Sequence, residues 1–188
     1  LYDILFFAMN ELKWQKKASK IIYQSKWLTL IHDEVLTPEK KDAAYDIVER
    51  KDFVLVIPKI ADSFYMVNQY RYPISADSLE FPQGFCENGE TIEQSVQREL
   101  EEETGLKAKR LTLLDTLWVS SGFLRQKFTV FLAEDFTEGN RNLDDTEVGL
   151  TTKKLPLEDI SKKITAGEIS NAPTVAALGL YLLSTISP

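Results

Sequence analysis

The chain has 188 residues, 44% of them hydrophobic and 27% charged, proportions that suit one globular domain with an appended element and argue against a disordered or membrane-embedded protein. A formal net charge of -7 argues against a broad nucleic-acid footprint, because such footprints are usually basic. The single cysteine, Cys86, cannot close an intrachain disulfide, and the single histidine, His32, excludes a site built from several imidazoles.

The opening stretch "LYDILFFAMNELKW" is apolar, but it has no basic n-region, carries Asp3 and falls far short of the roughly 20 residues of a membrane span. No membrane association is expected, and a cytoplasmic location is. Met9, followed by a more polar stretch, is a candidate start, which would make residues 1–8 an extension. Next come short β-type runs, "KIIYQ" and "WLTLIHDEVL", the charged turn "TPEKKDA" and the segment "AYDIVER". "FVLVIP" reads as a buried strand, and "FYMVNQY", after a turn around Ala61–Ser63, pairs with it as a hairpin. The prolines and glycines of "RYPISADSLEFPQGFCENGE" mark irregular backbone.

The acidic stretch "RELEEETGL" then lies in a well-defined helical frame. Thr91 and Gln94 form a capping box, and Gly105 stands where helices end in the left-handed conformation, so a helix runs from about Ile92 to Thr104. "LTLLDTLWV" and "FTVFLA" read as strands joined by "SSGFLRQ". "PLEDISKKITAG" and "NAPTVAALGLYLLS" read as two further helices, with Pro173 near the first turn of the second. Strands mixed with helices on this scale predict an α/β or α+β sandwich. No repeat or interdomain linker interrupts it.

At 100° per residue, Ile92, Val96 and Leu100 form an apolar stripe toward the core, and Glu103 falls within it. Glu99 borders the stripe, Glu102 lies beside Glu99, and Glu101 is left to solvent. An acidic run is ordinarily a solvated helical face. Three carboxylates near a buried face repel one another, however, and desolvating them without partners costs several kcal/mol each, so a cation is expected among them. Arg98 can compensate one charge. Hard divalent cations prefer oxygen ligands and leave positions for water and substrate phosphate, which points to a phosphate-handling metal site.

Gly84, Glu90, Arg98-Glu99-Leu100, Glu102-Glu103 and Gly105-Leu106 stand at the spacing of the Nudix box, with every specified position matched, and the chain resembles the Nudix hydrolases. "QYRYP" followed by "LEFPQG" before the box, and "GEISNAPTVAAL" near the end, are similar to the ADP-ribose and nucleotide-sugar pyrophosphatase branch, so that the likeness spans about Lys13 to Leu183. The resemblance implies an α/β/α sandwich with a mixed sheet over residues 51–188, preceded by a β-rich segment, residues 1–50, that pairs two subunits into a homodimer. It implies hydrolysis of a small nucleoside diphosphate derivative with Mg²⁺ or Mn²⁺. Glu99, Glu102, Glu103 and Glu147, with the backbone carbonyl of Gln83, would be metal ligands. Glu102, Glu103, Asp145 and Arg98 would form the catalytic set, Asp145 activating water and Arg98 orienting carboxylates. Arg71 would contact substrate phosphate, and Glu80 would order the site. The proline of the branch's Ser-Pro-Gly motif and a later glutamate are replaced here by Ser121 and Gln126, positions expected to read the substrate's sugar or terminal group. Cys86 is read as a packing residue. Other readings are a nucleotide-sensing module without catalysis, and a hydrolase of RNA 5′ ends or dinucleoside polyphosphates.

Overall fold

The structure, a computed structural model, describes residues 13–143 and 149–186. Its contacts divide the chain into two compact units, one formed by the described part of Leu1–Lys51 with Trp118–Gln126, the other by Asp52–Leu117 with the described part of Lys127–Pro188.

In the first unit, β1 (Gln15–Gln24), β2 (Thr29–Leu36) and β3 (Asp42–Glu49) form an antiparallel meander, and β9 (Leu124–Arg125) pairs in parallel with β3. Ser25 closes the first turn by accepting backbone N–H bonds from Trp27 and Leu28. Lys40 takes a left-handed conformation at the second. Strand β1 is exposed along its whole length, Ile21, Ile22 and Tyr23 included.

The second unit holds a sheet in the order β11-β5-β4-β10-β8, with β6 against β5 and β7 against β4. These strands are β4 (Phe53–Ile60), β5 (Ser63–Arg71), β6 (Ala76–Glu80), β7 (Gln83–Phe85), β8 (Leu106–Trp118), β10 (Lys127–Glu138) and β11 (Thr151–Pro156). The expected hairpin is β4–β5, turned at Ala61. Strand β10 runs parallel to β4, which makes the sheet mixed.

Residues alternate between the two faces along a strand, so the continuous apolar run of β4 must be covered on both sides. Val54 and Val56 pack with Phe131 and Ala133 of the sheet against Val96 and Leu100 of helix α1 (Ile92–Thr104). Leu55 and Ile57 lie on the other face and are also buried, as is Phe64, whose ring meets Tyr181 of helix α3 (Ala172–Ile186) at 5.3 Å. Each such large aliphatic side chain contributes about 1.5–3 kcal/mol by leaving water. Helix α2 (Leu157–Thr165) follows β11 directly. The result is the expected α+β sandwich.

Helix α1 has both halves of its capping box in place: Gln94 N–H donates to Thr91 Oγ1, and the Gln94 side chain accepts from Thr91 N–H. It ends at Gly105, left-handed at φ 74°. One residue of the apolar stripe departs from expectation. Ile92, at the first helical position beside the exposed capping box, remains 45% exposed, so the stripe begins at Val96.

Candidate active site

Two features bring carboxylates of α1 against β4 and β7. The helical stripe turns Glu103 inward, where it is 0% exposed, and leaves Glu99 at 7%. The bend from β6 into β7 brings Gln83 opposite Leu55 of β4, and its backbone N–H donates to Glu103 Oε2 at 3.3 Å. Gly84 is then required by space: a Cβ there would lie 2.1 Å from the Glu99 carboxyl, so any side chain would displace that group. This glycine therefore sets how close the loop comes to the helix.

Arg98 gathers the remaining charge. Its Nε donates to Glu90 Oε1 at 2.8 Å, Nη1 to Glu99 Oε1 at 2.7 Å and Glu102 Oε2 at 3.0 Å, and Nη2 to Glu90 Oε2 at 3.1 Å and the Phe85 carbonyl at 2.9 Å. The guanidinium thus ties Glu99 and Glu102 to the loop before the helix. Glu90 also accepts from Ser95 Oγ at 2.7 Å. The hydrogen bonds from Arg98 and then Ser95 hold the Glu90 carboxyl well below its ordinary value of 4.5, at about 2. The same carboxylates, Glu90 foremost, push the Arg98 guanidinium further up.

A second chain of bonds runs from β5 to the helix. Arg71 grips buried Glu80 through two contacts, Nε to Oε1 at 3.0 Å and Nη2 to Oε2 at 2.5 Å. Glu80 Oε2 also accepts from the Gln83 side-chain amide, whose backbone in turn meets Glu103. Arg71 and Glu80 border an open groove of about 350 Å³ with Ser170 and Asn171 at the start of α3. Arg98 and Glu102 border another of about 470 Å³ with Gln97, Glu101, Asn140 and Asn142. The structure therefore assembles Arg71, Glu80, Gln83, Arg98, Glu99, Glu102 and Glu103. Asp145 and Glu147 lie outside the described residues.

Ser121 lies in the first unit, on a groove of about 220 Å³ with Tyr45, Trp118 and Phe123. Gln126 lies in the same unit. It is buried, its side-chain amide donates to the Lys51 carbonyl at 2.6 Å, and its own carbonyl accepts from Val119 N–H, so it holds its segment together. Glu101 is a further correction. It is not left to solvent: its carboxylate accepts from Asn140 N–H at 2.9 Å and pairs with Lys107 at 3.1 Å, contacts that lower its pKa. Cys86 packs against the core beside Val54 and Val96, and burial pushes its thiol pKa up, which suits packing and opposes nucleophilic use.

Sequence reasoning missed the anchors of this arrangement. Glu90 carried a spacing signal, eight residues before Arg98, without revealing its partner. Gln97, which both donates to and accepts from the backbone of Ala108 in β8, and Arg141, which donates to two backbone carbonyls, carried none, because a carbonyl partner has no residue-type signature.

The donor set is chemically suited to a hard divalent cation: carboxylates near a buried face, with a glycine that lets the loop approach Glu99 closely. Among the described residues, no three His, Cys, Asp or Glu groups converge on one point as a ligand set; Glu99 and Glu102 are instead spread around Arg98. With a divalent cation held by these carboxylates, such a site would polarise a phosphoryl group.

Comparison with known proteins agrees with this architecture. Residues 50–178 match the NUDIX domain. The chain is 34% identical over 173 residues to an ADP-ribose pyrophosphatase of Bacillus subtilis, covering 90% of this chain and 93% of that protein. It is 29% identical over 160 residues to a methanol dehydrogenase activator of Bacillus methanolicus, covering 84% and 86%. A solved structure described as an ADP compounds hydrolase superposes with a TM-score of 0.82, at 22% identity, covering 90% of this chain and 92% of that one, and supports the fold. The chain belongs to the NUDIX domain family.

Proposed function

We propose that the protein is a divalent-metal-dependent hydrolase that cleaves the pyrophosphate of a nucleoside diphosphate sugar, ADP-ribose or a close analogue, into a nucleoside monophosphate and a sugar phosphate. The observation that carries the reading is the buried Glu103 with Glu99 and Glu102 gathered around Arg98, every box carboxylate being present. The similarity to a protein named ADP-ribose pyrophosphatase supports the substrate class.

On this reading Glu99, Glu102, Glu103 and Glu147, with the Gln83 carbonyl, hold Mg²⁺ or Mn²⁺. The chemistry supplied by the cation when bound is electrostatic stabilisation of charge developing on the phosphoryl oxygens. Arg98 fixes the directions of Glu99 and Glu102, as the partners of metal ligands commonly do. Arg71, oriented by Glu80, contacts substrate phosphate. Asp145 accepts a proton from the water that attacks phosphorus as the P–O–P bond breaks. Ser121 reads the terminal group of the substrate. The β-rich segment, residues 1–50, serves as a homodimerisation element, a role supported by the exposed β1 with Ile21, Ile22 and Tyr23. A cytoplasmic location belongs to the same reading and rests on the lone cysteine. Among the described residues, no helix is long and apolar enough to cross a membrane.

Incubation with Mg²⁺ and a panel of nucleoside diphosphate sugars, dinucleoside polyphosphates and triphosphorylated RNA tests the proposal. Monophosphate and sugar phosphate from the first class are expected. Binding without turnover would favour a sensing module, and selective cleavage of either other class would assign a different substrate.

A further inference from the structure

We infer that Arg141 is a positioning residue for the acidic site, holding the C-terminal end of helix α1 in place through the backbone of Glu103. The inference rests on the proposed role of Glu103 as a metal ligand, and its test can fail separately from that role.

The last carbonyls of a helix have no intrahelical partners and must find others. Here two of them, those of Glu102 and Glu103, are met by one short segment after β10. Gly139 N–H donates to the Gly105 carbonyl at 2.8 Å, and Asn142 N–H to the Glu102 carbonyl at 3.2 Å. Arg141 Nε donates to the Glu103 carbonyl at 2.9 Å, joined there by Thr152 Oγ1 at 3.3 Å. The segment also lies tight against the helix, since a Cβ on Gly139 would come within 2.9 Å of Glu101 Oε1.

The other arm of Arg141 reaches along the chain: Nη2 donates to the Leu150 carbonyl at 2.5 Å. A guanidinium is planar and rigid, so the two donors hold the carbonyls of Glu103 and Leu150 at a fixed relative position. In the sequence, Asp145 and Glu147 lie between Arg141 and Leu150. Glu103 is consequently fixed at both ends, its carboxylate by Gln83 N–H and its backbone by Arg141. Misplacing a reacting group by about 1 Å can cost about 100-fold in rate. Both bonds from Arg141 end on carbonyls, so its replacement disturbs a position rather than removing a ligand. A lysine ammonium keeps the charge but lacks the rigid fork.

The test uses the full chain carrying Arg141→Ala or Arg141→Lys, with Arg110→Ala as control. Arg110 pairs with Glu134 and Asp135, away from this clamp. Mn²⁺ affinity is measured by electron paramagnetic resonance without substrate, and kcat and KM are measured with Mg²⁺ on the nucleoside diphosphate sugar that the unaltered protein cleaves. Arg141→Ala is expected to weaken Mn²⁺ binding by about 10-fold. It should also lower kcat while KM stays within about twofold. Arg141→Lys should fall between it and the unaltered protein, and Arg110→Ala should match the unaltered protein. If Arg141→Ala does not fold, Arg141→Lys decides by the same measurements. Folded Arg141 variants with unchanged Mn²⁺ affinity and kcat, or an equal loss in Arg110→Ala, would overturn the inference. An unaltered protein that binds Mn²⁺ but cleaves nothing defeats the proposed function and leaves the binding comparison decisive; one that neither binds nor cleaves defeats both.

Discussion

Arg98 and Arg125 each hold a glutamate at close range, Glu90 at 2.8 Å and Glu49 at 3.0 Å, in different units of the molecule. Arg98 is 26% exposed and serves Glu90, Glu99, Glu102 and a carbonyl at once, whereas Arg125 and Glu49 are about half exposed on the β-sheet unit. An exposed pair contributes at most about 1 kcal/mol because water screens it and ordering two long side chains costs entropy. A half-buried arginine among several carboxylates cannot be removed as cheaply, since its loss leaves their charges facing one another with fewer partners. The second unit thus concentrates charge against one helix, and the first disperses it over a surface.

The largest effect is expected at Glu103. Glu103→Gln keeps the shape and an oxygen for the Gln83 N–H but removes the charge, and turnover with Mg²⁺ should fall by at least about 100-fold while circular dichroism and melting temperature change little. Retained activity would detach the buried acid from the chemistry. Arg98→Ala should cost about 3 kcal/mol in urea unfolding as well as activity, against a change of at most about 1 kcal/mol for Arg125→Ala. Equal costs would erase the contrast between the units. Gly84→Ala must push the Glu99 carboxyl aside, and overpacking of this kind costs about 1–3 kcal/mol, with a loss of turnover larger than that destabilisation implies.

A smaller effect is expected from pH. The Glu90 carboxyl is depressed from 4.5 to about 2 in the folded state, so its contribution to stability is fully present above pH 4.5 and is lost as pH falls through about 2. Melting temperatures from pH 6 to pH 2 should decline over the lower part of that range, and Glu90→Gln should flatten this part of the decline. An identical profile in the variant would show that the Arg98 cluster does not supply it.

Helix α1 was legible to the residue because its ends are written in local chemistry, a reciprocal Thr91–Gln94 cap and a left-handed Gly105. Its inward-facing acids followed from helical period alone. Burial of Ile92 did not follow, because a period specifies direction and says nothing about where the covering surface begins. Glu101 was misread for a related reason: its carboxylate is spent on a backbone atom distant in sequence, Asn140 N–H, which no residue pattern announces. Arg141 was invisible on the same ground. The roles expected of Asp145 and Glu147 rest on resemblance alone.

The most direct measurement is product analysis of ADP-ribose hydrolysis by the unaltered protein, followed by chromatography with and without a metal chelator. The account predicts AMP and ribose 5-phosphate in equal amounts, production ending on chelation and resuming when Mg²⁺ is added in excess. Absence of both products in the presence of Mg²⁺, or cleavage indifferent to chelation, would contradict it.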